Sequence, residues 1–246
     1  MTDPLRRKRD ESGTATSGVA DELVRMILGL PPGSSLPSEA ELALQHGVSR
    51  VTVREAVKMV AGRGLLELAR GRRAVVREPD AAALGQFVSS ITQNDSDGFL
   101  QLVEARMSLE VQCAGLAAMR ATQEDTAEIG ETVRTMETAV ASADRAAAEG
   151  DFHAADVRFH RLIAQASRNR ILIGMFGAIA PAFEQSLFLT RKEGAARDEA
   201  WRQTVHAHHR ILNCIETGDQ AGAEAAMRVH VSDALRDVRV ALGLGR

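Results

Sequence analysis

In this chain of 246 residues, the fold of the N-terminal third follows from one stretch of sequence, LPSEAELALQHGVSRVTVREAVKMVAGRGLL (residues 36–66). Ser38 is followed three residues later by Glu41, a capping-box pair that marks the start of a short helix. Gly47 can adopt the left-handed backbone of a tight turn between two helices. Ser49 then caps a second helix, which buries an apolar stripe made of Val53, Ala56, Val57 and Val60. The pattern predicts a helix-turn-helix.

The first turn of the second helix exposes three hydrogen-bond donors, Arg50, Thr52 and Arg54. A helix that opens with donors can place them against base edges in the major groove of DNA. The runs LLELA and AVVRE then predict two short strands around a basic hairpin tip, Arg70-Gly71-Arg72-Arg73. A tip of this kind can reach a neighbouring groove or phosphates, so the whole segment is typical of a winged helix-turn-helix.

Charge is distributed unevenly along the chain. Residues 1–78 carry 13 Lys/Arg and 10 Asp/Glu, whereas the remainder carries 17 and 23. Eight basic residues against two acidic ones fall within residues 49–77. A charge run alone is often a solvated helix face, but its position on the second helix and the wing favours contact with phosphates.

The order Pro32-Gly33-Ser34, LPSE, VSRVTVREAV, GLL and a glycine-containing wing resembles the GntR family of bacterial transcription regulators, across residues 19–77. The resemblance implies that Arg50, Thr52 and Arg54 contact operator DNA. It also implies that Arg70 and Gly71 form the tip of the wing.

This chain departs from the family pattern at two positions. Ala40 stands where many members have an arginine, which removes one DNA contact, and Arg73 stands where the wing often has a second glycine. We expect a DNA-binding head over residues 17–78, preceded by a flexible basic arm over residues 1–16.

From residue 79 onward the pattern is helical almost throughout. The apolar stripe of Ile129, Val133, Met136 and Val140 repeats at intervals of four and three. Seven helices with short connections predict an antiparallel all-α bundle over residues 98–243, after a linker helix region over residues 79–97. The fold class is therefore mainly α. The candidate helices are 81–91, 99–119, 123–149, 152–166, 171–189, 198–217 and 220–242.

The bundle carries one candidate metal site. Asp156 and His160 lie four residues apart, so they share one face of a helix, and His208 and His230 lie on the last two helices. One carboxylate and three imidazoles suit Zn²⁺, Ni²⁺ or Mn²⁺. A structural hydrogen-bonded pair has the same spacing as Asp156 and His160. Three further histidines are rival ligands: His153, His206 and His209.

Six runs in order resemble the FCD ligand-binding domain, the effector domain of the FadR subfamily of GntR regulators, across residues 98–232. The resemblance implies that Asp156, His160, His208 and His230 are the ligands of a divalent ion, with Zn²⁺ expected first. It also implies open positions on the ion that water or the carboxylate of a small organic acid fills. The runs are EARMSLE (104–110), LAAMRAT (116–122), DVRFH (156–160), ASRN (166–169), IETGD (215–219) and MRVH (227–230).

Two further residues are candidate effector contacts. Arg106 matches the arginine of the family's first run, and a guanidinium near the ion could bind the effector carboxylate. Its alternative is a salt bridge with Glu110 or Glu104. Asn169 could orient the effector's hydroxyl groups, or it could cap the helix that follows it.

Together these patterns predict a cytoplasmic transcription repressor, a homodimer on double-stranded operator DNA whose affinity a sugar acid or hydroxy acid controls. We expect no enzyme activity, because no nucleophile or general base accompanies the ligands. We expect no membrane association, because no apolar run approaches about 20 residues. The alternatives are a metal-dependent enzyme with an appended DNA-binding head and a DNA-binding dimer without an effector.

Overall fold

The computed structural model describes residues 4–69, 71–78, 81–92, 96–189 and 194–243. The chain divides into two compact units, Met1–Asp80 and Ala81–Arg246. Each unit has its own hydrophobic core. This confirms a mainly helical chain with a winged N-terminal head and an all-α C-terminal domain.

Over its described residues, the head is built from three helices and a small hairpin. α1 packs on α3, and Leu23, Leu42 and Val53 fill the core between the helices. The strands β1 and β2 pair antiparallel, with Leu66 opposite Val76, and Ser35 adds a bridge to Val75. The elements are α1 (Pro4–Leu28), α2 (Glu39–His46), α3 (Arg50–Gly62), β1 (Leu66–Glu67) and β2 (Val75–Val76).

The predicted helix boundaries in the head are confirmed by their hydrogen bonds. Ser38 Oγ accepts from the Glu41 amide at 3.2 Å, and Glu41 Oε2 accepts from the Ser38 amide at 2.7 Å. Gly47 ends α2 with φ of 63°, a conformation that glycine adopts without steric penalty. Ser49 Oγ accepts from the Thr52 amide at 3.1 Å and so caps α3.

The first helix begins within the segment for which the sequence predicted a flexible basic arm. α1 begins at Pro4, and the flexibility of residues 1–16 stays a prediction. Proline is tolerated in the first turn, because its missing N–H would have no partner there. The Arg, Lys and Glu residues that follow are good helix formers. Residues 1–3 lie outside the described part of the chain.

The C-terminal unit is a bundle of helices arranged around α5. This helix packs most extensively on α10 and also contacts α7, α8 and α9, while α6 packs on α7 and α9. The helix predicted in the linker region is α4, which packs on α8 and α5. The helices are α4 (Ala82–Thr92), α5 (Ser96–Arg120), α6 (Gln123–Ala141), α7 (Arg145–Ala166), α8 (Arg170–Leu189), α9 (Gly194–Glu216) and α10 (Gln220–Ala241).

The break between the third and fourth bundle helices is not where the sequence predicted it. We expected it at Glu149-Gly150, but α6 ends at Ala141 and α7 begins at Arg145. Asp144 Oδ1 accepts from the amides of Ala146 and Ala147, each at 3.2 Å. A glycine inside a helix costs only about 1 kcal/mol, which packing offsets, so the cap and not Gly150 sets the boundary.

Within the described ranges, none of the helices combines the length and the apolar character needed to cross a membrane.

The cap gives a stability prediction. Asp144→Ala should lower the free energy of unfolding of the helical unit by about 1 kcal/mol, because two amides of α7 lose their acceptor. Asp151→Ala removes the same charge from an exposed position within α7 and should change stability far less. Urea denaturation followed by circular dichroism measures both, and equal effects would mean that Asp144 does not act as the cap.

Candidate metal centre and DNA-reading surface

Three helices of the bundle bring the four predicted ligands to one point. Asp156 and His160 lie one turn apart on α7, His208 lies on α9 and His230 on α10. One donor atom of each residue lies within 4.8 Å of the other three, and only His230 is not fully buried. The packing explains the convergence, because α5 contacts α7, α9 and α10 and holds all three together.

The donor atoms are spaced like the ligands of a single ion. His230 Nε2 lies 3.2 Å from both His160 Nε2 and His208 Nε2. Asp156 Oδ1 lies 3.4 Å from His208 Nε2 and 4.0 Å from His160 Nε2. Ligands at Zn²⁺ bonding distance in a tetrahedron are roughly 3.3–3.6 Å apart. The four residues therefore fit a divalent cation.

The surroundings keep two of the imidazoles, those of His208 and His230, in the form that binds metal. Burial, followed by the proximity of His230, lowers the pKa of His208 well below its usual value. Burial, followed by the proximity of His160, lowers the pKa of His230 to about 3. Neutral imidazole is the ligand form, so no proton has to be displaced from these two rings at neutral pH.

A buried carboxylate on α5 orients one of the ligands. Glu110 Oε2 lies 2.5 Å from His160 Nδ1, so Nδ1 carries the ring proton and Nε2 presents its lone pair to the cluster. Glu110 Oε1 accepts from Arg106 Nε at 2.6 Å. Burial alone would raise the pKa of the Glu110 carboxyl, but Arg106 and His160 outweigh it and hold that pKa far below its usual range.

The salt bridge between Arg106 and Glu110 is one of the alternatives open from the sequence, and the structure contains it. Both side chains are only 2% exposed. Burial raises the pKa of the Asp156 carboxyl, and the charges of His160 and Arg106 oppose that rise without cancelling it. The charge of Arg106 also favours the neutral form of His230. Arg106 is therefore linked to the candidate metal centre through the carboxylate of Glu110, which contacts both Arg106 and His160.

The three rival histidines lie outside the cluster. His153 Nε2 lies 3.8 Å from Glu149, and its ring stands edge-on to Trp201. His209 lies on the surface with Nε2 2.7 Å from Glu137 Oε1, and His206 is exposed. None of these three rings belongs to the four-residue cluster.

Asn169 acts as a helix cap. Its Oδ1 accepts from the amides of Ile171 at 3.1 Å and Leu172 at 3.3 Å, at the start of α8. This is the structural alternative for Asn169, and a contact between Asn169 and an effector stays a prediction.

The predicted DNA-reading residues lie at the start of α3. Arg50 and Arg54 are exposed, while Thr52 is half-buried with Oγ1 2.8 Å from Ser49 Oγ. Arg54 is engaged by a carboxylate of α2, with Nε 3.0 Å from Glu39 Oε1 and Nη2 2.7 Å from Oε2. This hydrogen bond lowers the pKa of Glu39.

The wing carries Gly71 at its tip with φ of 74°, a conformation that favours glycine. The Arg72 amide donates to the carbonyl of Ala69 at 3.1 Å and closes the turn. Arg73, which replaces the usual second glycine, lies 3.5 Å from Glu41 Oε2 on α2. Arg70 lies outside the described residues, so its predicted contact is untested.

Sequence reasoning missed the part that two glutamates play. Glu110 was considered only as a salt-bridge partner, although its carboxylate also contacts a ligand histidine. The sequence pattern places Glu39 only within the LPSE motif, although its carboxylate accepts a hydrogen bond from Arg54, 15 residues further along the chain. The spacing of four between Arg106 and Glu110 was a usable signal for the first. The second depends on the crossing of two helices, which has no local signature.

Comparison with known proteins agrees with this architecture. Residues 15–76 match the model of the bacterial regulatory proteins of the GntR family, and residues 101–233 match the FCD domain. The chain belongs to the GntR family. The prediction of a DNA-binding transcription regulator with an FCD domain is therefore confirmed. The matches are to families of regulators and not to an enzyme family.

Two relatives and one solved structure illustrate the similarity. The chain is 31% identical to a proposed regulatory protein of the L-lactate dehydrogenase operon of Escherichia coli (strain K12), over 92% of this chain and 84% of that protein. It is 30% identical to the galactonate operon transcriptional repressor of the same strain, over 85% and 89%. A GntR structure from Streptococcus agalactiae matches with a TM-score of 0.66 and 27% identity, over 90% and 99%.

The cluster gives a metal prediction. Purified protein should carry about one divalent ion per subunit, and His160→Ala should lose it, because a ligand and its link to Glu110 disappear together. His153→Ala and His209→Ala should keep the ion. Elemental analysis of the folded proteins measures this. Equal metal in the wild type and in His160→Ala would remove His160 from the ligand set.

The head gives a DNA prediction. Arg50→Ala and Arg54→Ala should each cost about 1–3 kcal/mol in operator binding if the side chain reads a base edge. Lys58→Ala, on an exposed side chain of α3 paired with Glu55, should weaken every duplex alike, by a smaller factor. Gel-shift titrations at one salt concentration compare operator with scrambled duplex. Unchanged operator affinity of both arginine variants would refute the assignment of α3 as the reading helix.

Proposed function

We propose that this regulator is a repressor whose operator affinity is set by a small carboxylate, a hydroxy acid or sugar acid, bound at a Zn²⁺ ion in the helical domain. The observation that carries the proposal is the buried cluster of Asp156, His160, His208 and His230, with a cationic guanidinium behind it. Ni²⁺ and Mn²⁺ suit the same donors less specifically.

The chemistry of the cluster supports a carboxylate effector. Four protein donors leave room on a five- or six-coordinate ion, and a carboxylate oxygen is a hard anionic ligand for such an ion. Arg106 supports the same effector class, because a planar guanidinium beside the cluster is the group that binds a carboxylate through paired hydrogen bonds. The effector class agrees with relatives whose names mention lactate and galactonate.

We propose a homodimer on a pseudo-palindromic operator. Two heads related by a two-fold axis read two half-sites in opposite orientation. We place the protein in the cytoplasm, because its partner is chromosomal operator DNA.

The effector can change operator affinity only if it binds two arrangements of the protein unequally. A typical coupling is about 1–3 kcal/mol, which corresponds to a shift in operator affinity of roughly 5- to 150-fold. A screen of hydroxy acids and sugar acids by thermal shift, followed by operator titration with each hit, tests the proposal. A metal-loaded protein whose operator affinity no acid changes would instead be the DNA-binding dimer without an effector.

Arg106 gives the sharpest test of the effector site. Arg106→Ala would leave Glu110 as an unpaired buried charge, at a cost of several kcal/mol, so Arg106→Lys is the better variant. Lysine keeps the positive charge but lacks the planar pair of donors that fits a carboxylate. We expect it to retain the ion and to need at least about tenfold more acid for the same change in operator affinity.

The control for this variant is its metal content. An Arg106→Lys protein with normal metal and a normal acid response would make Arg106 a partner of Glu110 only. A protein that loses the ion would show that Arg106 acts through Glu110 and His160 and not on the effector.

A further inference from the structure

We propose that Glu39 is a positioning residue for operator reading: by holding one edge of the Arg54 guanidinium, it aims the other edge at a base. Its negative charge weakens binding to every duplex, and only the base contact of Arg54 offsets that loss. The proposal rests on the assignment of Arg54 as a base reader. It adds a specificity determinant on α2, the helix that precedes the reading helix.

The geometry of the pair leaves a defined set of donors. Arg54 Nε lies 3.0 and 3.1 Å from the two oxygens of Glu39, and Nη2 lies 2.7 Å from Oε2. Guanidinium has five N–H donors in a rigid fork. Glu39 accepts from Nε and from one hydrogen of Nη2. The second hydrogen of Nη2 and the adjacent hydrogen of Nη1 point away from Glu39, and they meet no acceptor among the described residues. Two parallel donors placed in this way match O6 and N7 of guanine.

The side chains of Arg54 and Glu39 are accessible to DNA, and their hydrogen bonds fix the orientation of the guanidinium. The Arg54 side chain is 50% exposed and that of Glu39 is 33% exposed. Because an arginine otherwise has several flexible torsions, a carboxylate that fixes it in advance reduces the entropy lost on binding. Glu39 itself is placed by the N-terminal turn of α2, whose start is fixed by the capping box at Ser38.

The charge of Glu39 is the second half of the argument. Arg50 and Lys58 add to the effect of Arg54 in favouring its ionised form, so Glu39 is an anion set within the basic surface of α3. An anion there repels every phosphate backbone, specific or not. The repulsion is offset only where Arg54 gains its base contact, and this difference is what discriminates between sequences.

The test uses the full-length protein and an operator selected from a random duplex library, with a scrambled duplex of equal length for comparison. Glu39→Gln should bind the scrambled duplex more tightly, because one repulsive charge is gone. It should bind the selected operator more weakly, because Arg54 loses its clamp. We expect the ratio of the two affinities to fall by roughly 5- to 150-fold, the range of one good bidentate base contact.

The matched control is Glu55→Gln. Glu55 lies on α3, the helix of Arg54, where it is 53% exposed and paired with Lys58. It makes no hydrogen bond to Arg54 among the described residues. Its removal should tighten both duplexes about equally and leave the ratio unchanged. Glu39→Asp keeps the charge on a shorter side chain, so it should lower the ratio without tightening the scrambled duplex.

Arg54→Gln and the double variant with Glu39→Gln complete the test. If Glu39 acts through Arg54, the double variant discriminates no worse than Arg54→Gln alone. Equal changes of both duplexes in Glu39→Gln, while Arg54→Gln still loses discrimination, would overturn this inference and leave base reading by Arg54 intact. Unchanged discrimination in Arg54→Gln would overturn base reading itself, and the role of Glu39 with it.

Discussion

The buried carboxylate of Glu110 is the constraint on which the centre of the helical domain depends. A carboxylate removed from water must be neutralised and hydrogen-bonded, or it destabilises the fold by several kcal/mol. Here Arg106 neutralises it from one side and the His160 ring contacts it from the other. The same contact, 2.5 Å from Glu110 Oε2 to His160 Nδ1, favours the tautomer of His160 that carries the proton on Nδ1. Stability of the core and readiness to bind a cation are thus two results of one interaction.

The position of α5 makes this arrangement possible. α5 contacts each of the three helices that carry the cluster, and it packs most extensively on α10. At Gly115 a Cβ would overlap the side chain of Glu224, so the absence of a side chain there lets α5 and α10 approach closely. Phe159 stacks on the His208 ring at 3.9 Å and fills space beside the ligands. The cluster is therefore held by the packing of whole helices.

Two kinds of ion pair differ in what they contribute. In the bundle, Arg106 and Glu110 are buried together, and burial makes each partner necessary to the other. In the head, the pairs of Arg54 with Glu39 and of Arg73 with Glu41 lie on the surface, where such pairs contribute little stability. The proposed role of Glu39 therefore rests on the orientation of Arg54 and on the local charge, and not on a contribution to stability.

The winged head and the set of four candidate ligands could both be predicted from the sequence. Capping at Ser38 and Ser49, the turn at Gly47 and the buried stripe of α3 are local patterns, and local hydrogen bonds and periodicity express them directly. The resemblance to the FCD domain selected His208 over its neighbours, and the structure groups that histidine with the other three.

The remaining features depend on how the helices pack in three dimensions. The first helix begins at Pro4, and Asp144 caps the start of α7. Short polar segments show little hydrophobic periodicity, so the sequence pattern does not place these two boundaries. The pairing of Arg54 with Glu39 and the contact of Glu110 with His160 join residues from different helices. Such contacts depend on how helices cross, and a hydrophobic stripe specifies which face is buried but not which polar groups meet across the packed interface.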